Sequence, residues 1–375
     1  MTSDSTNESF WQRTEDWHTA GEPFRIVQHP PAGYLTPGLT VAEQRLSILQ
    51  QSESRLASVK DHPLDLLRQS LCHEPRGHAD MYGCFITTPN DSGAHFGALF
   101  WHKDGFSTAC GHGTMALGYW AVAHGLVESP GDGTVDVVID VPSGRVVARA
   151  KCEAGRVQHV DFVNVPSYQS GNSFGFGWDE ERDGPLMTYN KPLAEKDLND
   201  IPLIFDIAYG GATYFFTDVS QLADFGDVEI KPSNYQLFID LQRKIKAAVR
   251  RRGHLDVDNI YGVCFYEHIT ESREAITQRN VTVFADGQID RSPCGSATCA
   301  RLAVLLAEGK VSNGKKLIHE SIVGTRFEAF VDEVVPSPSD FPACIPRVRG
   351  QANLVARSDF LIDPADPVYP GFVLR

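Results

Sequence analysis

Along this 375-residue chain the apolar positions fall mostly in short runs bounded by Gly and Pro, the pattern of strands rather than of long helices. Residues 24–27, 83–87 and 97–101 are runs of this kind, and residues 135–140 with 145–150 read as a hairpin turning at Pro142, Ser143 and Gly144. The clearest amphipathic helix spans residues 234–252. There Leu237, Leu241 and Ile245 recur at a four-residue step among Lys and Arg, and Arg250, Arg251 and Arg252 precede Gly253 as at a helix C-terminus. Residues 171–200 are rich in Gly, Asn and Asp with few periodic apolar positions, and are expected to be an excursion between domains. Strands and helices mix without regular alternation, which predicts an α+β fold rather than a doubly wound sheet.

Two segments repeat each other. ACGHGTMALGYWAVAHGLV, residues 109–127, aligns without a gap on PCGSATCARLAVLLAEGKV, residues 293–311. Seven pairs are identical, among them Cys110/Cys294, Gly111/Gly295, Thr114/Thr298 and Gly125/Gly309, and a Phe stands ten residues before each cysteine, Phe100 and Phe284. Each copy reads as strand, loop, Cys-Gly, then an apolar helix closed by glycine. The cysteines lie 184 residues apart, about one domain length. The expected organisation is a tail over residues 1–20, a first domain of residues 21–190 plus 353–375 carrying Cys110, and a similar second domain of residues 191–352 carrying Cys294.

A helix N-terminus has unpaired N–H groups and a partial positive charge. It favours a thiolate and can hold a substrate carboxylate. Gly111 and Gly113 in one copy, Gly295 and Ser296 in the other, leave the backbone approachable. Two thiols so placed could serve the two faces of one carbon, taking a proton from one side and returning one to the other, α to a carboxylate. A nucleophilic cysteine with His112 as its base is the competing chemistry. It gives the duplicated cysteine no role.

FSTACGHGTMALG and ADGQIDRSPCGSAT resemble the two active-site signatures of the proline racemase family, which includes proline racemases, 4-hydroxyproline 2-epimerases and trans-3-hydroxy-L-proline dehydratases. HTAGEP at residues 18–23, EPRGHADM at 74–81 and DIAYGG at 206–211 extend the resemblance from about Asp16 to the C-terminal PGFVLR. The resemblance implies a diaminopimelate-epimerase-like fold: two similar α+β domains, each with sheet wrapped around a central helix, and an active site in the cleft between them. It implies Cys110 and Cys294 as the catalytic pair. Gly111, His112, Gly295 and Ser296 would hold the carboxylate and its surroundings, and Asp290 with His112 would face the ring nitrogen. It implies no organic cofactor and no metal.

Three positions depart from the family pattern. Ala20 replaces a second Gly, Ala109 replaces the Met that commonly precedes the first cysteine, and Cys294 stands where the dehydratase branch typically has Thr. The body of the chain otherwise resembles that branch, notably in GFSTACGHG and DIAYGGATYFF. The leading expectation is a cofactor-independent racemase or epimerase of proline or hydroxyproline using two thiols. The alternative is a trans-3-hydroxy-L-proline dehydratase with Cys110 as base. A binding protein that keeps carboxylate recognition without turnover is a third reading.

Composition narrows the partners. A net charge of −14 argues against nucleic acid and against anionic membrane surfaces. No stretch approaches the ~20 apolar residues of a membrane span, and residues 1–9 are polar, so a cytoplasmic enzyme with a small-molecule substrate is expected. A homodimer is left open. Cys72, Cys84, Cys152, Cys264 and Cys344 sit in mostly apolar contexts and are expected to be buried, inert thiols. No Cys/His spacing suits zinc.

Overall fold

Both copies of the repeat place an apolar helix where it can be covered on every side, and each is covered by strands of its own unit. The structure, a computed structural model, describes residues 8–52, 61–179, 184–188, 203–225, 228–252, 260–311 and 314–374. The chain divides into one unit of residues Met1–Asp161 with Gln351–Arg375, and another of Phe162–Gly350. The expected α+β class with two similar domains is the one found.

In the first unit, strand Phe10–Thr19 lies between Ala352–Ile362 and Glu22–Val27, antiparallel to both. Glu22–Val27 continues parallel to Tyr82–Thr87, which is antiparallel to Phe96–His102. Phe96–His102 runs parallel to Gly133–Val141, and Gly133–Val141 pairs antiparallel with Gly144–Glu153, the hairpin expected at that point. Helices α1 (Val41–Ser52) and α2 (Pro63–Cys72) pack through Val41, Ile48, Leu64, Leu67 and Leu71 into a core with Phe85, Leu99 and Trp101. Helix α3 (Gly111–Ala123) is the crossover between the parallel strands Phe96–His102 and Gly133–Val141. Strands 10–19, 22–27, 144–153 and 352–362 all touch it. Apart from Tyr119, Val122 and Ala123, every residue of α3 is buried.

The second unit closes on itself. Its strands pair in the order Ser167–Asp179, Leu203–Tyr209, Thr213–Asp218, Ile260–Glu271, Ala275–Phe284, Lys316–Ser321, Arg326–Val335 and Ala343–Gly350. The last pairs back on the first through Ala343 with Tyr168 and Cys344 with Ser167. Closure removes the free edges that an open sheet would leave. Helix α4 (Tyr235–Arg252), the amphipathic helix of the sequence, packs Phe238, Ile239, Leu241 and Ile245 against Val263, Phe265, Val281 and Val283. Helix α5 (Gly295–Ala307) is again the crossover between parallel strands, Ala275–Phe284 and Lys316–Ser321, and residues 295–305 are all buried inside the ring. Burying Leu302, Val304 and Leu305 contributes roughly 1.5–3 kcal/mol each.

The repeat extends to individual hydrogen bonds. The Gly125 and Leu126 N–H groups donate to Val122 and Ala121 at 3.1 and 2.9 Å, and Gly309 and Lys310 donate to Leu306 and Leu305 at 3.0 and 2.8 Å. Gly125 and Gly309 have φ of +64° and +69°, the left-handed closure in which glycine is unstrained.

Three expectations need correction. Residues 10–19 are a strand rather than part of a loose tail. Its inward face carries Gln12, Thr14 and Thr19 beside Trp17, so polar residues mask the alternation. The division between units falls after Asp161 and after Gly350, not after residues 190 and 352. Of the expected excursion at 171–200, residues 171–179 belong to a strand that pairs antiparallel with Gly184–Thr188, while residues 180–183 and 189–200 lie outside the described residues.

The turn between Phe10–Thr19 and Glu22–Val27 holds only Ala20 and Gly21, at φ +52° and +94°. A two-residue hairpin of this hand needs positive φ at both positions. Ala20 carries a left-handed cost of roughly 1–2 kcal/mol that glycine avoids, offset by roughly 0.5–1 kcal/mol of extra glycine entropy in the unfolded chain. Ala20→Gly is therefore expected to stabilise the protein by about 0.5–1 kcal/mol. Chemical denaturation of the two proteins measures it, and an equal or lower midpoint in the variant would contradict the strain.

Candidate active site

In the first unit Cys110 is the residue capping α3. Its sulfur accepts a hydrogen bond from the Gly113 N–H at 3.2 Å, an arrangement that favours negative charge on sulfur. The approach depends on glycine, because a Cβ at position 113 would lie 2.4 Å from the Phe24 ring and 2.7 Å from the Cys110 sulfur. His112 Nδ1 stands 3.4 Å from the same sulfur. Its ring meets Phe24 and Tyr82 edge-on, at centroid distances of 5.6 and 5.0 Å. Burial holds the imidazole down to about 3, although a hydrogen bond to the Pro23 carbonyl works the other way. The ring is neutral near pH 7 and a poor base there. Thr19 Oγ1 donates to the His112 carbonyl at 2.8 Å, tying the hairpin at residues 19–22 to the helix start.

In the second unit Cys294 occupies the matching position before α5, but in a different state. Its φ is +58°, a left-handed conformation that strains a residue with a side chain, and its sulfur makes no capping hydrogen bond. Its backbone N–H donates to Ser292 Oγ at 3.1 Å, and Ser292 in turn donates to Asp290 Oδ1 through Oγ at 2.7 Å and through N–H at 2.8 Å. This short loop sets the Asp290 carboxyl against the Cys294 thiol. Burial pushes Asp290 up to about 6, against the pull of its bonds from Ser292 and Cys294. Burial, then the Asp290 charge, pushes the Cys294 thiol well above its usual range. The expectation that the helix start favours a thiolate thus fails for Cys294, where desolvation and a neighbouring carboxylate outweigh the backbone.

The sequence-selected residues therefore gather by unit: Cys110, Gly111 and His112 at the start of α3, and Asp290, Cys294, Gly295 and Ser296 at the start of α5. All are buried. Sequence reasoning missed Thr19, Phe24 and Tyr82 around His112, and Tyr214 beside Cys294. Thr19 lies within the HTAGEP segment, which was the available signal. All eight cysteines are free and buried, including Cys299 inside α5. Burial pushes Cys72 and Cys264 up to about 12, as befits inert thiols. Among the described residues no cluster of His, Cys, Asp and Glu is arranged to hold a metal ion, and no helix is long and apolar enough to cross a membrane.

Comparison with known proteins extends these observations. Residues 15–175 and 198–373 match the family model described as proline racemase. A trans-3-hydroxy-L-proline dehydratase of Bacillus thuringiensis subsp. konkukian is 34% identical over 367 residues, covering 96% of this chain and 97% of the relative. A 3-hydroxyproline 2-epimerase of Burkholderia multivorans is 35% identical over 368 residues, covering 96% and 98%. Among solved structures, a probable proline racemase from Agrobacterium radiobacter K84 with bound carbonate superposes with a TM-score of 0.77 at 25% identity, covering 97% of this chain and 96% of the other.

Asp290 gives a stability test of the site. Its folded value of about 6 lies above the unfolded value, so the buried carboxyl contributes stability at low pH that is lost as pH rises toward 6 and beyond. Asp290→Asn is expected to leave stability near pH 4 almost unchanged and to raise it at pH 8 by on the order of 2–3 kcal/mol. Denaturation midpoints at the two pH values measure it. A variant destabilised equally at both would show that the carboxylate is not held at a cost.

Proposed function

The chain belongs to the proline racemase family and is an enzyme of that family, and from this premise we propose that it racemises proline or epimerises a hydroxyproline at the α-carbon, with Cys110 and Cys294 each serving one face. The observation that carries this reading is Cys294 itself, a thiol at the position where Cys110 stands in the repeat. A relative of this chain named 3-hydroxyproline 2-epimerase supports it.

The two half-sites are suited to opposite tasks. Cys110, starting as a thiolate with the Gly113 N–H on its sulfur, is the side that accepts a proton. The α C–H bond breaks, its proton passes to the Cys110 sulfur, and the electron pair stays on the substrate next to the carboxylate. Cys294, kept as a thiol by burial and Asp290, is the side that donates. Its S–H bond breaks, the new C–H bond forms on the opposite face, and the configuration inverts. Gly111, Gly295 and Ser296 hold the substrate carboxylate with the N–H groups of the helix starts, and Asp290 and His112 receive the ring nitrogen. The enzyme acts in the cytoplasm on a small molecule, without cofactor, metal, nucleic acid or membrane.

A second reading has its own support: a relative at 34% identity is named trans-3-hydroxy-L-proline dehydratase. In that reaction Cys110 removes the α-hydrogen while the 3-hydroxyl leaves, and inversion is not required.

Single substitutions separate the two. Cys294→Ser is expected to lower inversion by ~10²–10⁴-fold, because a serine hydroxyl is a poor acid and base near pH 7. Cys110 still reaches its own face in that variant, so one enantiomer continues to exchange its α-hydrogen with solvent. Polarimetry with proline and 4-hydroxyproline, beside a water-elimination assay with trans-3-hydroxy-L-proline, reads both outcomes. If the wild type eliminates water, inverts neither other substrate, and Cys294→Thr does the same at a similar rate, the dehydratase reading replaces this one.

A further inference from the structure

Once Cys294 has given up its proton, the sulfur carries a charge in a buried place, where the Ala297 backbone N–H eases part of the cost and further donors are needed. Asp290, ionised, has none to offer, since a carboxylate only accepts. Its Oδ1 is moreover committed to Ser292. Cys264 also faces this sulfur as a buried thiol, held neutral by burial. Two side-chain hydroxyls stand 3.9 Å from the sulfur, those of Tyr214 and Ser296, and they bond each other at 2.6 Å. Tyr214 is fully buried, its ring edge-on to Tyr261 at 5.8 Å.

We propose that Tyr214 is a positioning residue for the second thiol, its hydroxyl linking Cys294 to Ser296 and turning toward the sulfur when Cys294 loses its proton. The proposal rests on the reading of Cys294 as proton donor. The hydroxyl count makes the link directional. With Cys294 as a thiol, its S–H is held by the Asp290 carboxylate, the Tyr214 O–H points to Ser296 Oγ, and the Ser296 proton is left to donate to a bound carboxylate at the start of α5. When the Cys294 proton leaves for the α-carbon, the chain reverses. Tyr214 donates to the thiolate and Ser296 donates to Tyr214, so the carboxylate is held less firmly as the inverted product forms. No proton is gained or lost by the two hydroxyls; only their orientation changes. Burial keeps the Tyr214 phenol protonated, and hence a donor, at working pH.

Alkylation of Cys294 by iodoacetamide as a function of pH, followed by peptide mass spectrometry, reads the thiol without needing turnover. In Tyr214→Phe, which keeps the ring and loses the hydroxyl, the midpoint of alkylation at Cys294 is expected to rise by about one pH unit, a tenfold loss in thiolate. Asp290 and Cys264 stay in place in both proteins, so the shift isolates the hydroxyl. Turnover in the same variant should lose roughly tenfold in kcat with KM changed less than about threefold, and the pH–rate profile should move with the alkylation midpoint. Ser296→Ala, which tests the link if Tyr214→Phe does not fold, is expected to raise the midpoint by less and to raise KM more. Unchanged alkylation midpoints in folded Tyr214→Phe and Ser296→Ala would overturn the proposal. A shifted midpoint in an enzyme that never inverts its substrate would overturn only the racemase reading.

Discussion

A helix buried to its first turn leaves backbone N–H groups that water cannot reach, and the rest of this protein is arranged around that requirement. Both α3 and α5 are crossovers between parallel strands and both are covered by strands of their own unit. Their starts therefore have to be met by side chains or by a bound anion. Cysteine at the capping position meets the need weakly, because sulfur is a poor acceptor, and that weakness leaves the helix start suited to an anion. Close approach then fixes the neighbours. Position 113 must be glycine to admit Phe24 and the sulfur, and Gly210 must be glycine because a Cβ there would lie 2.3 Å from the Ser296 carbonyl.

The two halves meet the same requirement differently, and the difference bears on mechanism. Cys110 sits in extended backbone with an N–H on its sulfur and a neutral imidazole beside it. Cys294 sits in left-handed backbone, beside a carboxylate, with two hydroxyls at the edge of reach. Strained backbone and a buried acid cost stability, and they persist where function requires them. The two sulfurs of the repeated motif thus stand in opposite surroundings, one with a donor N–H that favours a thiolate and the other with burial and a carboxylate that favour the thiol.

Much of this was legible in the chain. Cys110 and Cys294 could be found from the ungapped repeat alone, since Cys-Gly and the closing glycine recur with the same spacing. The strands at 82–87 and 96–102, the hairpin at 133–153 and the helix at 235–252 follow their hydrophobic periods. Other features depend on contacts that no local pattern encodes. Tyr214 reaches Cys294 from a strand eighty residues earlier in the chain. The thiol's protonation is decided by burial, which outweighs the helix start that sequence reasoning relied on. Strand 10–19 hides because its buried face is polar: Gln12 Nε2 donates to the His29 carbonyl at 3.2 Å, a partner that only the fold supplies. The Gly-rich run at 171–179 reads as loop because glycine is a turn signal, yet pairing along Leu203–Tyr209 makes it a strand.

The central claim is that one α-carbon is deprotonated by one cysteine as thiolate and reprotonated by the other as thiol. Proton NMR of the wild-type enzyme in deuterated water, with L-proline, trans-4-hydroxy-L-proline and trans-3-hydroxy-L-proline supplied separately, tests it most directly. The account predicts deuterium at the α-carbon of at least one substrate together with the inverted isomer. Loss of water from trans-3-hydroxy-L-proline, with no inverted isomer from any of the three, would contradict it.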